Sequence, residues 1–472
     1  MKSTTQIKIS ILLLVVVVNI GNVYSQEVIR LKKGSINVIR IPDTSQAIAA
    51  DLFIPSTFST QLSWPLLVHV NRIDEDRRNF KNWRGLYEEL GFIVISIQVS
   101  HTQELKEQLR LIRHSLVYLS KQVSVQRYQM YSIGKGRNAE LSSLLPLIFP
   151  FIKGTVAIED TYNFRKIKKF KNRFYFTGIS DKKQYTLTDF EQIRKYLKQN
   201  RITAEVFEKD SNLAGELTAI KKALNFFRIK EMTRKRIQKD SLWIKRQFDE
   251  SYTAAIQFIN DKNFLEGYNE LRQIESTFRF IYNVDTVKNE LNRIKKLPKY
   301  RKQKGIFNTE IFQEQQWRNT LLSALTEDLQ VKAFYNLTWW EREMKNLHKA
   351  KTQKKNIDNS WVLRVENFLT TLLQMSKSNV KIDDKERKLL IAMIENKVNP
   401  VKTDSYLEII SYLAYLQDYN TALLYLEKLL QTGYDDFDSL YEIEHTLSLK
   451  IRPDYNELVK KHLGRSKYEM YK

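Results

Sequence analysis

The chain has 472 residues and a formal net charge of +23, with 42% hydrophobic and 12% aromatic residues. That size and composition exclude a disordered chain and leave room for two or three domains, each with a core of its own. Only 8 prolines, 13 glycines and no cysteine are present, which favours long helices over a loop-rich β fold and excludes disulfides, a lipidated N-terminal cysteine and thiolate metal sites.

The N-terminus is basic at Lys2 and Lys8, apolar from Ile9 to Ile20, and reaches Val23-Tyr24-Ser25 before Gln26. This order matches a secretory signal peptide over residues 1–25, with cleavage expected after Ser25. Asn19 and Asn22 interrupt the run before the roughly 20 apolar residues that a membrane-spanning helix needs. No later segment approaches a span. A large, cysteine-free exported chain suits a bacterial periplasmic or secreted protein.

From residue 26 to residue 230 strand and helix signals alternate. Ser35–Ile41 and Ala47–Ile54 read as strands, and Pro65–Val70 (PLLVHV) as a buried one. A helix over Asn79–Leu90 stops at Gly91, and Phe92–Gln98 is another strand. Thr102–Val123 carries Leu105, Leu109, Ile112 and Leu116 at helical spacing. Tyr128–Ile133 is a strand and Lys135 to about Leu147 a helix. Strands at Thr155–Ile158, Arg173–Thr177 and Thr203–Phe207 alternate with helices at Leu187–Gln199 and Leu213–Phe227. Unbroken apolar strands between amphipathic helices indicate a parallel sheet covered on both faces.

Arg127–Leu144 reads RYQMYSIGKGRNAELSSL. It resembles the strand, tight turn and helix that carry the nucleophile of α/β-hydrolases, in the pattern small-x-nucleophile-x-small. Early antiparallel strands followed by alternation are similar to the same family, in its esterase, depolymerase and peptidase-like branch, over about residues 35–228. On this alignment Ser132, Gly134 and Gly136 are the three small positions, and the nucleophile slot falls on Gly134, which has no side chain. The family's oxyanion pair, usually His-Gly after the strand equivalent to PLLVHV, corresponds to Asn71-Arg72. His69 lies inside that strand and is expected to be a core or edge residue. The resemblance matches the triad acid to Asp181. The base should follow the last strand, but Glu208 to Leu213, including Asn212, contains no histidine. The resemblance therefore implies a hydrolase architecture without a working triad. An active serine-type esterase or peptidase with an unrecognised nucleophile is the alternative. Cleft candidates for a ligand are Asn71, Arg72, Lys135 and Asp181.

Gly134-Lys135-Gly136 is not a phosphate loop, since GxxxxGK[ST] is absent. The six histidines are scattered, no HExxH or HxH occurs, and no metal or cofactor is expected. The densest basic run, Arg165 to Arg173, reads as a solvated face, with an acidic glycan or lipid headgroup as the functional option. Nucleic acid is not expected, because of export and the lack of a recognisable binding module.

After Phe227 strand signals cease. Residues 231–305 read as helical hairpins and 306–472 as a helical, tetratricopeptide-like domain, with a polar linker at Lys349–Asn359. In the latter, Tyr419, Ala422, Leu426 and Leu429 resemble the tetratricopeptide positions, preceded by Tyr406, Ile409 and Leu413. A weaker copy uses Phe264, Gly267, Leu271 and Ile274. Such repeats imply a partner bound through the helical surface, either a protein or an envelope component. The expected fold class is an α/β-hydrolase-like sheet followed by an all-α helical-repeat domain.

Overall fold

A computed structural model describes residues 31–43, 47–72, 78–100, 102–352 and 360–468. The expected signal peptide, His101 and residues 353–359 of the expected linker lie outside them. The chain divides into two compact units, one ending at Tyr131 and one running from Ser132 to Lys472.

In the first unit, strands β1 (Ser35–Ile41) and β2 (Ile48–Ile54) pair antiparallel, and β2 pairs antiparallel with β4 (Ile93–Val99). Strand β3 (Trp64–Arg72) runs parallel to β4, with His69 opposite Ser96 and Asn71 opposite Gln98. The helix expected over Asn79–Leu90 is two short ones, α1 (Arg78–Asn82) and α2 (Arg84–Leu90). The break sits at Trp83, which is fully buried. Trp83 and Phe80 pack on His69 with ring centroids 5.3 and 5.5 Å away, and Phe80 packs on Tyr87 at 5.6 Å. Two short helices bring these rings to the sheet on one face. Gly91, at φ 67°, ends α2 as expected, its N–H turning back to the carbonyls of Glu88 and Tyr87. Helix α3 (Leu105–Gln122) follows, burying Leu111, Ile112, Leu116 and Leu119.

Strand β5 (Val125–Lys135) leads through the short link at Gly136 into α4 (Arg137–Ile148). In the second unit, β6 (Gly154–Ile158), β7 (Tyr175–Asp181) and β8 (Thr203–Lys209) pair in parallel. Helix α5 (Thr186–Gln199) crosses from β7 to β8, and α6 (Leu213–Thr233) follows β8. The strand order is β1-β2-β4-β3-β5-β6-β7-β8. This mostly parallel, eight-stranded sheet with crossover helices is the α/β sheet that the alternating pattern predicts, in the α/β-hydrolase-like order that the resemblance implies.

From α7 onward every regular element is helical: α7 (Ser241–Asn260), α8 (Phe264–Phe278), α9 (Asp285–Lys296) and the 34-residue α10 (Pro298–Val331) come first. Then come α11 (Leu337–Thr352), α12 (Ser360–Asn379), α13 (Lys385–Val398), α14 (Thr403–Tyr415) and α15 (Tyr419–Gln431), and three short helices end the described chain. Two expected divisions fall inside helices, 230/231 in α6 and 305/306 in α10. The physical reason is that α6 carries Ile229 and Met232 into the same apolar cluster as Ile244, Phe248 and Leu271. Small residues sit where helices approach closely. A Cβ on Gly267 would lie 2.6 Å from Ile259, so α7 and α8 pack through that position. Ala422, Leu426 and Leu429 are fully buried against Ile409 and Leu413.

Candidate functional site

The strand-to-helix turn is where a hydrolase of this arrangement would hold its nucleophile, on a strained residue projecting above the sheet. Gly134 is not at that turn. It lies inside β5, which continues through Lys135, and the helix begins at Arg137 rather than Lys135. A Cβ on Gly134 would lie 2.6 Å from the Asn138 carbonyl oxygen and 2.7 Å from Ser142 Oγ. Its missing side chain is thus what lets α4 pack down on β5. The turn residue is Gly136, with φ 56° and ψ −135°, a backbone conformation essentially reserved for glycine unless the surroundings enforce it. A Cβ there would meet nothing within 4 Å. The register read from the sequence is therefore two residues early. Small residues occupy 134, 136 and, in place of a third glycine, Asn138.

Ser132 bridges β5 to α4, its Oγ donating to the Ser142 carbonyl at 2.8 Å. Ser142 and Ser143 are buried and donate to the Ala139 carbonyl within their own helix. None of the three faces open space.

Asp181 closes β7. Its Oδ1 accepts from the Lys183 N–H at 2.8 Å, and its Oδ2 from the Ser211 hydroxyl. Asn212, the other residue singled out beyond β8, instead caps α6 by accepting from the Gly215 N–H at 2.7 Å. The residue that meets the carboxylate is hence Ser211, one position earlier.

Four charged side chains converge at the same strand ends. Lys209 Nζ, at the end of β8, lies 2.6 Å from Glu159 and 2.8 Å from Glu216 in the first turn of α6. Lys135 Nζ lies 2.8 Å from Glu216 and 4.0 Å from Glu159. Lys209 and Glu216 are nearly buried, at 5% and 4% side-chain exposure, while Lys135 and Glu159 are 27% and 32% exposed. Burial alone would push the Lys209 pKa down, yet its bonds to Glu159 and Glu216 carry it above the ordinary lysine value. Burial would raise Glu216, and the two lysines hold it below its ordinary value. Lys209 and Glu216 are thus both charged at neutral pH, and this buried pair is stabilised by mutual neutralisation. Glu159 takes φ 65° with its N–H bonded to the Ile179 carbonyl, which swings its carboxylate back over the strand ends.

The loop after Asp181 is held by distant helices. Arg364 on α12 donates to Glu314 on α10 at 2.7 Å and to the Lys182 carbonyl at 3.1 Å. Asn367 donates to the Lys183 carbonyl at 2.9 Å. Glu314 also accepts from Thr188 at 2.7 Å, and Arg318 pairs with Asp189 at 2.8 Å.

The expected oxyanion residues belong to the first unit. Asn71 and Arg72 do not follow β3 but end it, in register with Gln98 and Val99. The strand runs two residues past Val70 because β4 continues alongside. Asn71 is buried and its Nδ2 has no hydrogen-bond partner among the described residues. His69 is a core residue. Burial lowers its pKa from 6.5 to about 3, so it is neutral at physiological pH.

Among the described residues no group of three His, Asp or Glu side chains comes together as metal ligands. None of their helices is long and apolar enough to cross a membrane.

No family model matches the chain, and no curated protein matches it. Solved structures are similar over about two-fifths of the chain. Est1E from Butyrivibrio proteoclasticus is 12% identical, over 41% of this chain and 98% of its own, with a TM-score of 0.34. The fluorophosphonate-binding serine hydrolase FphF of Staphylococcus aureus is 10% identical, over 42% and 99%, with a TM-score of 0.35. An esterase from Pyrobaculum calidifontis is 10% identical, over 41% and 86%, with a TM-score of 0.35. Likeness at this level says nothing about activity.

Proposed function

We propose that this is an exported, non-catalytic α/β-hydrolase-like protein that binds a ligand at its strand-end site, and a protein or envelope partner through its helical region. The observation that carries this reading is Gly136. The turn keeps the strained backbone and open space suited to a nucleophile, but offers no atom to attack with. Around it the base position is taken by Ser211 and Lys209, neither of which can cycle a proton as a histidine does near pH 7. What remains is a charged surface at the strand ends, where Lys135 and Glu159 are 27% and 32% exposed and can pair with a zwitterionic or hydrogen-bonding ligand. Export rests on the N-terminal sequence pattern, and partner binding on the tetratricopeptide-like spacing of the helices.

An active serine-type esterase or peptidase is the second reading, favoured by one observation: the Ser211 hydroxyl is bonded to the Asp181 carboxylate. Fluorophosphonate labelling of the purified protein separates the two. The binding reading expects no stoichiometric label and no nitrophenyl ester turnover above background. Stoichiometric label mapped to Ser211, and abolished by Ser211→Ala, would establish the hydrolase instead.

A further inference from the structure

Beyond the strand-end site, a groove of about 600 Å³ lies between the end of α6 and the turn that joins α8 to α9. Met232, Ile237, Ile281 and Tyr282 line it and pack against the apolar cluster beneath. Three exposed cations, Lys235, Lys239 and Arg279, also line it, and no aspartate or glutamate does. None of the three pairs with a carboxylate among the described residues. At the rim Phe280 is 70% exposed, with the Arg279 guanidinium 4.4 Å from its ring centroid. Just behind, Lys230 donates to the carbonyls of Ser276 and Thr277. Burial brings its pKa down to about 8, against the raising effect of Glu205 and with smaller contributions from Arg279, Lys198 and Arg234.

We propose that this groove and Phe280 form a docking site for an anionic phospholipid surface. Charge complementarity selects an anion, since three unpaired cations on one recess repel each other until a phosphate-bearing group enters. The aromatic ring selects the source. A soluble phosphate gains nothing from a phenyl group standing in water, whereas at a bilayer the ring reaches the headgroup–acyl boundary while the cations stay at phosphate depth. The inference is independent of whether the Gly136 site binds or reacts.

Because the whole chain is strongly basic, the test must separate this groove from general charge. The purified protein is sedimented with vesicles of phosphatidylcholine, with or without phosphatidylglycerol. Binding is expected only with the anionic lipid. At roughly 1 kcal/mol per cation near such a surface, the Lys239→Glu/Arg279→Glu variant should weaken partitioning by about ten-fold or more. Phe280→Ala should lower it by about five-fold or more, most clearly at raised salt, where the apolar contribution persists. A charge-matched control, Lys168→Glu/Lys169→Glu on the exposed run, should change it by less than about two-fold. All the altered residues are at the surface, and unchanged circular dichroism checks the fold. Equal losses in the groove and control variants would overturn the proposal, as would an unaffected Phe280→Ala. So would calorimetric binding of glycerol 1-phosphate without vesicle partitioning, which would assign the groove to a soluble anion.

Discussion

Replacing each glycine of the turn by alanine in turn distinguishes a packing role from a conformational one. At position 134 the backbone is ordinary strand, where exchanging glycine for alanine would by itself stabilise by roughly 0.5–1 kcal/mol. The new methyl, however, would sit 2.6 Å from the Asn138 carbonyl oxygen and 2.7 Å from its carbon, roughly 1 Å inside an ordinary contact. The obstacle is the backbone of the first turn of α4, so relief means lifting that helix off the strand. Overpacking of this kind costs at least about 3 kcal/mol. At position 136 there is no steric obstacle, and only the φ of 56° is costly. Gly136→Ala should therefore destabilise by roughly 1–2 kcal/mol. Urea unfolding followed by circular dichroism reads both differences from the shift in midpoint. If Gly136→Ala proves the more damaging change, or Gly134→Ala is neutral, the turn is misplaced here and the earlier register is right. Gly136→Ser should remain unreactive toward fluorophosphonate, because a restored hydroxyl would still lack a histidine.

Three further outcomes are expected. His69 has a folded pKa of about 3 against 6.5 unfolded, so protons bind the unfolded chain preferentially between those values. Its contribution is complete above pH 6.5 and is lost as pH falls, at about 1.4 kcal/mol per unit; His69→Phe, which keeps the stack on Phe80, should flatten the pH dependence of stability between pH 6.5 and 5. Arg364→Met should destabilise the second unit by about 2–3 kcal/mol, because buried Glu314 loses its nearer arginine and keeps only Arg318 at 3.3 Å, while Arg364→Met/Glu314→Leu should recover most of the loss; a single variant no worse than the double would sink that account. Mass spectrometry should find a mature N-terminus near Gln26, and an intact Met1 end throughout the mature pool would refute export.

The strands were legible because parallel strands buried on both faces leave apolar runs that nothing else explains, and PLLVHV and FIVISIQ fall within β3 and at β4. The turn was legible as a place but not in register. Ser132, Gly134, Gly136 and Asn138 are all two apart, so on a strand they share one face, and the small-x-x-x-small pattern fits two alignments equally. Only the backbone angle at Gly136 and the close approach at Gly134 decide between them. The lysine–glutamate network was not legible, because residues 135, 159, 209 and 216 meet only when parallel strand ends are brought side by side. A hint lay in the charged residue that ends, or directly follows, each apolar run: Lys135, Glu159, Asp181 and Lys209. The grip of Arg364 on Glu314 left no trace in spacing, since both sit on helices whose apolar faces already account for their pattern. The break at Trp83 was hidden for a related reason, since two short helices in line carry the same periodicity as one.

The bond from Arg364 to the Lys182 carbonyl spans 182 residues of chain, and this has a consequence for how the protein is made. A ribosome adding about 5–20 residues per second needs roughly 10–40 s to deliver α12 after the loop it secures. Throughout that interval the junction of β7 and α5 has its local bonds, such as Lys183 N–H to Asp181 and Ser180 to Thr186, but not the grip of Arg364 and Asn367 on its loop carbonyls. The second unit cannot reach its final form until nearly four-fifths of the polypeptide has been synthesised. A chain built this way stays unfinished while it is being translated, the condition in which a polypeptide can still be threaded through a translocation pore.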